Sequence, residues 1–341
     1  MPRMDIRKLV KPNVRALKAY QAEEVPCKVK LDANESPYGF TVLKNVKTNK
    51  YPDPEARDLR RLIAKDLRVS PENILHGNGS DELIYNLITT FGGPVLYPTP
   101  TFTMYGIIAQ ALGEQHIGIA LDADFDLNIR GMLTAMKKNK AKLIFLSSPN
   151  NPTGNSFSVE RMTEIIKKSR GLVVVDEAYQ QFSSRKSFVP LLKKNRNLIV
   201  LRTLSKIGLA GLRTGFMVSH EDIIQEVNKV RLPFNLNSLS QKVAIDALKS
   251  SSRLRSNIRS IVSERKRLFT ELKKTDGILP YPSDANFILF QVNNGDAVFS
   301  ALLKKGVLIR NMKGVADGFL RVTVGTPREN NFFLKNLRQV L

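Results

Sequence analysis

The feature that most constrains the fold is an alternation of short apolar runs with helix-like segments between about residues 55 and 230. The apolar runs are rich in branched residues, as is typical of strands buried on both faces, and they lie at 95–97, 143–146, 172–175 and 198–201. Leu59, Leu62, Ile63 and Leu67 recur at helical spacing with charges between them, and 158–168 has a similar pattern. Strand–helix alternation predicts an α/β fold, in which a mostly parallel sheet is covered by helices.

The pattern changes after about residue 230. A long charged helical stretch at 254–272 precedes strand candidates at 287–290, 307–309 and 320–324. Thr326-Pro327 then has the residues expected at the cap and first position of a last helix. We therefore predict a large domain over 47–230 and a smaller α+β domain formed by 231–341, on which the loop-rich segment 1–46 packs.

The chain is strongly basic, with 53 Lys and Arg against 31 Asp and Glu and a formal net charge of +22. Such a charge attracts anions and raises the alternative of a nucleic-acid partner. Nucleic-acid recognition usually adds a motif or stacking aromatics among the basic residues. Here aromatics are 7%, Trp is absent and the basic residues are scattered. The composition favours a solvated basic surface that contributes modestly to attracting anionic substrates, and no specific nucleic acid.

Cysteine and histidine usage restricts the other classes of site. Cys27 is the single cysteine, so no intrachain disulfide can form, and this fits a reducing cytoplasm. His76, His116 and His220 lack metal-ligand spacing, which predicts no protein-held metal. The first residues lack an apolar signal core, and no apolar run reaches the ~18 residues of a membrane span. We expect a soluble cytoplasmic protein that does not bind membranes.

Polar residues follow three of the predicted strands. They are the segment from Ser147 to Gly154, the run Asp176-Glu177-Ala178-Tyr179 and the run ending in Ser205-Lys206. Ligands of open α/β sheets bind beyond the carboxyl ends of the strands. An amide, a carboxylate, a phenol and a lysine should therefore meet in one crevice.

A glycine-containing segment, Gly77-Asn78-Gly79-Ser80-Asp81-Glu82, opens a predicted helix. Free backbone N–H groups and the helix dipole at such a position suit a phosphate. The segment lacks the third glycine of a dinucleotide fingerprint and the Lys-Ser/Thr of a nucleotide-phosphate loop, so a nucleotide is disfavoured. A phosphate cradle, a lysine, a carboxylate and a stacking aromatic are together what pyridoxal phosphate needs.

Motifs in a fixed order extend over nearly the whole chain. They are LDANESP at 31–37, YPD at 51–53, GNGSDE at 77–82, NNPTG at 150–154, DEAY at 176–179, TLSK at 203–206 and GLR at 211–213. In this order they resemble the fold-type-I, pyridoxal-phosphate-dependent aminotransferases, and among these the histidinol-phosphate aminotransferase family. The resemblance implies a large domain with a mostly parallel sheet, a smaller α+β domain, and pyridoxal 5′-phosphate as cofactor.

The resemblance also implies roles around the cofactor ring. Lys206 would hold the cofactor as a Schiff base and move the proton between substrate Cα and cofactor C4′. A lysine suits both tasks because it is nucleophilic once deprotonated and its pKa shifts readily in a desolvated site. Asp176 would pair with the pyridine nitrogen, Tyr179 and Asn151 would hydrogen-bond the ring oxygen, and Phe102 would stack on the ring.

The cofactor phosphate has its own implied set of residues. Ser205, Arg213 and the backbone N–H groups of Ser80 and Asp81 would hold it. Tyr51 would reach the phosphate from a second subunit, which implies a homodimer.

The implied substrates are anions. Arg321 matches the arginine that binds the substrate anion, and Arg310 and Tyr20 match positions that help bind a substrate phosphate; arginine can grip a carboxylate or a phosphate in bidentate fashion. Phe234 stands where some family members supply a phosphate-binding Tyr. The implied reaction is ping-pong transfer of an amino group from glutamate to imidazole-acetol phosphate, which gives histidinol phosphate and 2-oxoglutarate in histidine biosynthesis.

Two alternatives remain open at the level of sequence. An aromatic aminotransferase or a threonine-phosphate decarboxylase would keep the same fold and cofactor, and the decarboxylase would release carbon dioxide. A basic nucleic-acid-binding regulator that uses the fold as a scaffold would predict DNA binding that falls steeply with salt.

Overall fold

A seven-stranded sheet forms the centre of the larger part of the molecule. The structure is a computed structural model, and it describes residues 26–32, 34–38 and 50–341. The strands of this sheet are β2 (Ile74–Asn78), β3 (Val95–Thr99), β4 (His116–Ala120), β5 (Leu143–Ser147), β6 (Leu172–Asp176), β7 (Leu198–Thr203) and β8 (Thr214–Val218). The strands predicted at 95–97, 143–146, 172–175 and 198–201 are confirmed as β3, β5, β6 and β7.

The strand order in this sheet is β2-β8-β7-β6-β5-β3-β4. The pairs β3–β4, β3–β5, β5–β6 and β6–β7 are parallel, whereas β8 runs antiparallel to both β7 and β2. Strands β5 to β8 are buried along their whole length apart from Leu172, which explains their continuous apolar sequence. The carboxyl ends of β5, β6 and β7 lie side by side, as the polar strand ends predicted.

Helices cover the sheet and bury one apolar side each. They are α1 (Arg57–Leu67), α2 (Gly79–Phe91), α3 (Met104–Leu112), α4 (Ile129–Asn139), α5 (Val159–Lys168) and α6 (Glu221–Asn228). In α5, for example, Met162, Ile165 and Ile166 are buried at helical spacing while basic residues end the helix. The predicted helices around 59–67 and 158–168 are therefore confirmed.

The remaining chain builds a second, smaller sheet. Its order is β12-β13-β10-β9, all antiparallel, and a separate two-stranded parallel sheet pairs β1 with β11. The strands are β1 (Val29–Lys30), β9 (Ile278–Pro280), β10 (Phe287–Val292), β11 (Val307–Leu308), β12 (Arg310–Asn311) and β13 (Phe319–Thr323). The helices are α7 (Ser238–Lys249), α8 (Ser251–Lys273), α9 (Gly295–Lys304) and α10 (Pro327–Leu337).

The predictions for this part are confirmed with one refinement. The long charged helix is α8, and α10 begins at Pro327 behind a capping box in which Thr326 and Glu329 satisfy each other's backbone N–H groups. The strand predicted at 307–309 is confirmed at its first two residues as β11, and the next strand, β12, begins after Ile309 and pairs in the other sheet. The domain boundaries at residues 46 and 230 stay a prediction.

Within the described ranges, none of the helices is long and apolar enough to cross a membrane. In the same part of the chain, no cluster of His, Cys, Asp and Glu could hold a metal ion.

Candidate active site

Asp176 ends β6 and is 3% exposed. Its Oδ2 accepts a hydrogen bond from the Tyr105 hydroxyl at 2.7 Å, and its Oδ1 accepts one from the backbone N–H of Ala178 at 3.0 Å. Burial raises the pKa of Asp176 from its ordinary value of 3.8 to about 6, against the opposing effect of these two hydrogen bonds and of the Lys206 charge. The result is a buried carboxylate, ionised above about pH 6, that is suited to pair with a cationic N–H group.

Lys206 lies three residues beyond the end of β7, in a short helical turn over Ser205–Ile207. Its Nζ lies 5.8 Å from the centroid of the Tyr179 ring, and its side chain is partly exposed. The backbone N–H of Ser205 donates to Thr203 Oγ1 at 3.1 Å, and the Thr203 hydroxyl donates to Ser205 Oγ at 2.9 Å. These bonds fix the turn that carries the lysine to the crevice.

A buried ion pair supports the segment between Asp176 and Tyr179. Glu177 has no exposed surface, and its Oε2 accepts bonds from Arg202 Nε at 3.0 Å and Nη2 at 2.8 Å. Its Oε1 accepts from the backbone N–H of Phe188 at 2.6 Å. A carboxylate engaged on both oxygens cannot turn without breaking charge-assisted bonds, so the chain after β6 is held in one path.

Arg321 of β13 connects the small sheet with the large one. Its Nη1 donates to Asn151 Oδ1, its Nη2 donates to the carbonyl of Asp32 at 2.8 Å, and its guanidinium carbon lies 5.1 Å from the centroid of the Phe287 ring. The arginine is 7% exposed. Arg321 thereby holds the Asn151 side chain from a strand of the other sheet.

Arg310 stands directly opposite Arg321, because the two residues are register partners on antiparallel strands β12 and β13. Residues paired in this way extend their side chains from the same face of a sheet. Arg310 is exposed whereas Arg321 is buried. The pair therefore presents one buried and one solvent-facing cation on a single face.

The N-terminus of α2 and the start of β8 form a cradle with no room for added side-chain atoms. Gly79 has φ +82°, and a Cβ there would lie 2.5 Å from Arg213 Nη2. A Cβ on Gly215 would lie 2.5 Å from the backbone nitrogen of Ser80. The backbones of β8 and of the start of α2 approach closely because Gly215 has no side chain. Backbone N–H groups at the start of a helix are the kind that bind an anion.

Arg213 lies at the mouth of this cradle. Its Nη2 pairs with Asp81 Oδ2 at 2.9 Å, and its Nη1 lies 3.5 Å from Ser205 Oγ. The Arg213 and Asp81 side chains are 47% and 42% exposed. Ser80, Asp81, Ser205 and Arg213 are thus brought together from three separate segments, as an anion site requires.

The other predicted residues are Phe102, Tyr51 and Tyr20. Phe102 is partly buried and contacts the Tyr105 ring edge to face at 5.6 Å. Tyr51 is 82% exposed and stacks on Phe234 with 4.7 Å between ring centroids. Tyr20 lies outside the described residues.

Two residues of this region were not identified from the sequence. Tyr105 is fully buried against Phe145, and its hydroxyl reaches Asp176. Asn34 lies within a quoted motif, yet no role was assigned to it, and its Nδ2 donates to the Tyr179 hydroxyl at 3.2 Å. The sequence signal for Tyr105 was its hydroxyl, because the hydroxyl of a buried tyrosine requires a hydrogen-bond partner.

Comparison with known proteins assigns this chain to one family. The family model described as aminotransferase class I and II matches residues 17–337. A histidinol-phosphate aminotransferase of Caldanaerobacter subterraneus subsp. tengcongensis is 41% identical over 98% of this chain and 99% of its own length. A histidinol-phosphate aminotransferase 2 of Nitrosococcus oceani is 43% identical over 96% of each chain.

A solved structure extends the similarity to three dimensions. The histidinol-phosphate aminotransferase from Sinorhizobium meliloti, crystallised in complex with pyridoxal-5′-phosphate, superimposes with a TM-score of 0.86 at 24% identity and covers 97% of either chain. At this identity the match establishes the shared fold, that of the fold-type-I transferases. The family model, the two relatives and this shared fold agree over nearly the full length, and the chain belongs to the aminotransferase class I and II family.

Proposed function

We propose that the protein is a pyridoxal-phosphate-dependent histidinol-phosphate transaminase, which moves an amino group between glutamate and imidazole-acetol phosphate in histidine biosynthesis. Two relatives at 41% and 43% identity carry that name over nearly the full chain. The observation that carries the proposal is the convergence of Asp176, Tyr179 and Lys206 at the carboxyl ends of β6 and β7.

The residues present fit the cofactor. Asp176 is a buried carboxylate whose two hydrogen-bond donors leave its remaining lone pairs free for a protonated ring nitrogen. The N–H groups at the start of α2, beside Gly79 and Gly215, would hold the cofactor phosphate, as helix N-termini hold anions. When bound, pyridoxal phosphate supplies an aldehyde for a lysine amine and a ring that accepts electrons from the amino acid.

The chain's own residues supply binding and proton transfer around that ring. Lys206 Nζ would bind the aldehyde carbon, and once displaced by substrate it would move the proton between substrate Cα and cofactor C4′. Asp176 would keep the ring nitrogen protonated, because loss of that proton would leave a buried carboxylate unpaired. Tyr179 and Asn151 would hydrogen-bond the ring oxygen, and Phe102 would cover one face of the ring.

Two parts of the site would each bind a different anion. Ser80, Asp81, Ser205 and Arg213 would hold the cofactor phosphate, with Asp81 acting through its backbone N–H. Arg321 would bind the glutamate carboxylate or the keto substrate, and Arg310 and Tyr20 would help to bind the substrate phosphate. Arginines of one sheet face suit both anions, because a guanidinium binds carboxylate and phosphate in similar fork geometry.

We also propose a homodimer in which Tyr51 reaches the partner's cofactor phosphate. Tyr51 and Phe234 stack on each other, yet Tyr51 is 82% exposed and Phe234 is 40% exposed. An exposed aromatic pair is a common component of interface cores. A cytoplasmic location is proposed from the single cysteine alone.

Borohydride reduction followed by peptide mapping tests the cofactor site, because reduction fixes the cofactor to its lysine. We expect the adduct at Lys206 and none in Lys206→Ala, whose turnover should fall by at least about 10³-fold. Lys193→Ala, an exposed lysine on the same part of the chain, should leave the map unchanged. An unmodified Lys206 peptide in cofactor-saturated protein would contradict the proposal.

A substrate panel tests the reaction. Amino transfer from glutamate to imidazole-acetol phosphate should exceed transfer to aromatic keto acids. Carbon dioxide release from threonine phosphate in place of amino transfer would favour the decarboxylase alternative.

A further inference from the structure

Asn34 lies between the small sheet and Tyr179 and is 2% exposed. Its backbone N–H donates to Thr323 Oγ1 at 2.8 Å, and its backbone carbonyl accepts from Asn286 Nδ2 at 3.0 Å. Its φ of +54° is left-handed, a conformation that Asn tolerates better than most residues. Thr323 is the last residue of β13 and Asn286 directly precedes β10, so residues of the small sheet fix the backbone of Asn34.

The side-chain bonds around Asn34 have a fixed direction. The Thr323 hydroxyl, which accepts the Asn34 N–H, donates its own proton to Asn34 Oδ1 at 3.1 Å. Because this oxygen is occupied, the amide NH₂ faces Tyr179 and donates to its hydroxyl oxygen at 3.2 Å. Each member of the chain Thr323, Asn34, Tyr179 donates to the next, and such chains reinforce one another in a buried setting.

The chain ends at the Tyr179 hydroxyl proton. Tyr179 is 4% exposed, its ring packs edge to face on Phe287 at 5.1 Å, and Lys206 Nζ lies 5.8 Å from its ring centroid. Within the described residues, no acceptor is recorded for that proton. A buried hydroxyl whose oxygen already accepts a bond is left with its proton to give, and a cofactor bound at the nearby Lys206 would supply an acceptor.

We propose that Asn34 is a positioning residue that commits Tyr179 to donate its proton to the ring oxygen of the cofactor. This inference rests on the proposed function. A donor to that oxygen stabilises its anionic form and so lowers the proton affinity of the cofactor bound at Lys206. Thr323 and Asn34 therefore transmit the position of the small sheet to the protonation state of the reacting centre, although neither would touch the cofactor.

The pH dependence of the visible absorption band of the bound cofactor measures this effect. Asn34→Gly keeps both backbone bonds, tolerates the left-handed φ and removes the amide, so the midpoint of the titration should rise by up to about one pH unit, a tenfold change. Asn34→Asp keeps the shape but offers the Tyr179 hydroxyl an acceptor, and the midpoint should rise at least as far as in Tyr179→Phe.

Coupling between the two positions separates this role from a structural one. In a Tyr179→Phe background, Asn34→Gly should produce no further shift, because the group on which Asn34 acts is gone. Independent, additive shifts would overturn the inference. Glu35→Gln, in the same segment with a half-exposed side chain paired to Lys30, is the matched control and should titrate as the wild type does.

The outcomes also distinguish the inference from the proposed function. A wild-type protein that shows no titrating visible band with pyridoxal phosphate overturns both. A wild-type band that titrates, with Asn34→Gly and Asn34→Asp midpoints equal to wild type, overturns the role of Asn34 alone.

Discussion

The two ends of the candidate site differ in how completely this chain builds them. At the Asp176 end, the carboxylate, its partner Tyr105 and the supporting Glu177 are all buried, and their hydrogen bonds are made within one chain. At the phosphate end, Arg213 and Asp81 are nearly half exposed, and Tyr51 is almost wholly exposed. The first end is organised by contacts within the chain, whereas the second leaves its charged and aromatic side chains open to solvent.

The difference fits the role proposed for each end. A carboxylate that holds a proton on a ring nitrogen works best in a dry, fixed environment, where its charge is not screened. A site that binds a phosphate and exchanges substrates has to stay accessible and tolerates solvated ion pairs, each of which contributes little to stability. Substitutions at the buried end should therefore change chemistry and folding, and those at the open end should change ligand retention.

The largest effect is expected at the buried end. Asp176→Asn keeps the shape but removes the charge opposite the ring nitrogen, and kcat should fall by about 10²–10³-fold, the usual loss when one preorganised electrostatic partner is removed. Steady-state kinetics measures this, with borohydride mapping as a control that the cofactor still reaches Lys206. Retention of wild-type kcat would show that the two ends do not differ as described.

The cradle should respond next. Gly215→Ala places a Cβ 2.5 Å from the backbone nitrogen of Ser80, whereas Gly211→Ala, with nothing within 4 Å of the added carbon, is the matched control. We expect Gly215→Ala to lose about 1–3 kcal/mol of unfolding free energy and to bind cofactor more weakly. Denaturant unfolding of the apoprotein and cofactor titration check the two parts. Equal behaviour of the two alanine variants would contradict the close packing at this end.

The pH dependence of stability should report the buried carboxylate. The folded-state pKa of Asp176, about 6, lies above its ordinary value of 3.8, so the folded state binds more protons between these values. Stability from this group is therefore present below about pH 4 and lost as pH rises through 6, by at most about 3 kcal/mol. The difference between wild-type and Asp176→Asn apoprotein unfolding curves across this range measures it.

Tyr105→Phe sharpens that measurement. The Tyr105 hydroxyl bond lowers the pKa of Asp176, so its removal should raise this pKa, and the loss of stability should become larger and extend to higher pH. If stability is lost over the same pH range in Tyr105→Phe, the bond between the two residues does not affect the pKa of Asp176.

The smallest effect on folding is expected at the open end. Tyr51→Ala removes a ring that is 82% exposed, so the unfolding free energy of a monomer should change by less than about 0.5 kcal/mol. Cofactor retention and the sedimentation profile should change instead, because the ring is proposed to act on a partner subunit. A folding defect without a change in either would argue against that role.

The sequence allowed four of the seven strands of the large sheet, β3, β5, β6 and β7, to be predicted with their polar ends, because buried strands leave continuous apolar runs. The sequence did not indicate β2, β4 or β8, because exposed positions alternate along β4 and polar or glycine residues interrupt the other two. It did not reveal that Tyr105 reaches Asp176 or that Asn34 reaches Tyr179, since these contacts join segments 71 and 145 residues apart. The strand β12 was equally hidden, because its two residues, Arg310 and Asn311, are polar and follow the end of the apolar run. Sequence patterns identify helices and strands, whereas contacts between distant segments depend on tertiary packing.

The insertion of antiparallel β8 between β2 and β7 affects the order in which the protein can mature. The anion cradle needs Gly215 beneath Ser80, and these residues are joined only after β8 enters a sheet whose other strands precede it in sequence. A nascent chain still on the ribosome before residue 218 has its lysine but not its cradle. We therefore expect loading of the vitamin B6 derivative to follow the pairing of β8, the last strand of this sheet to be synthesised.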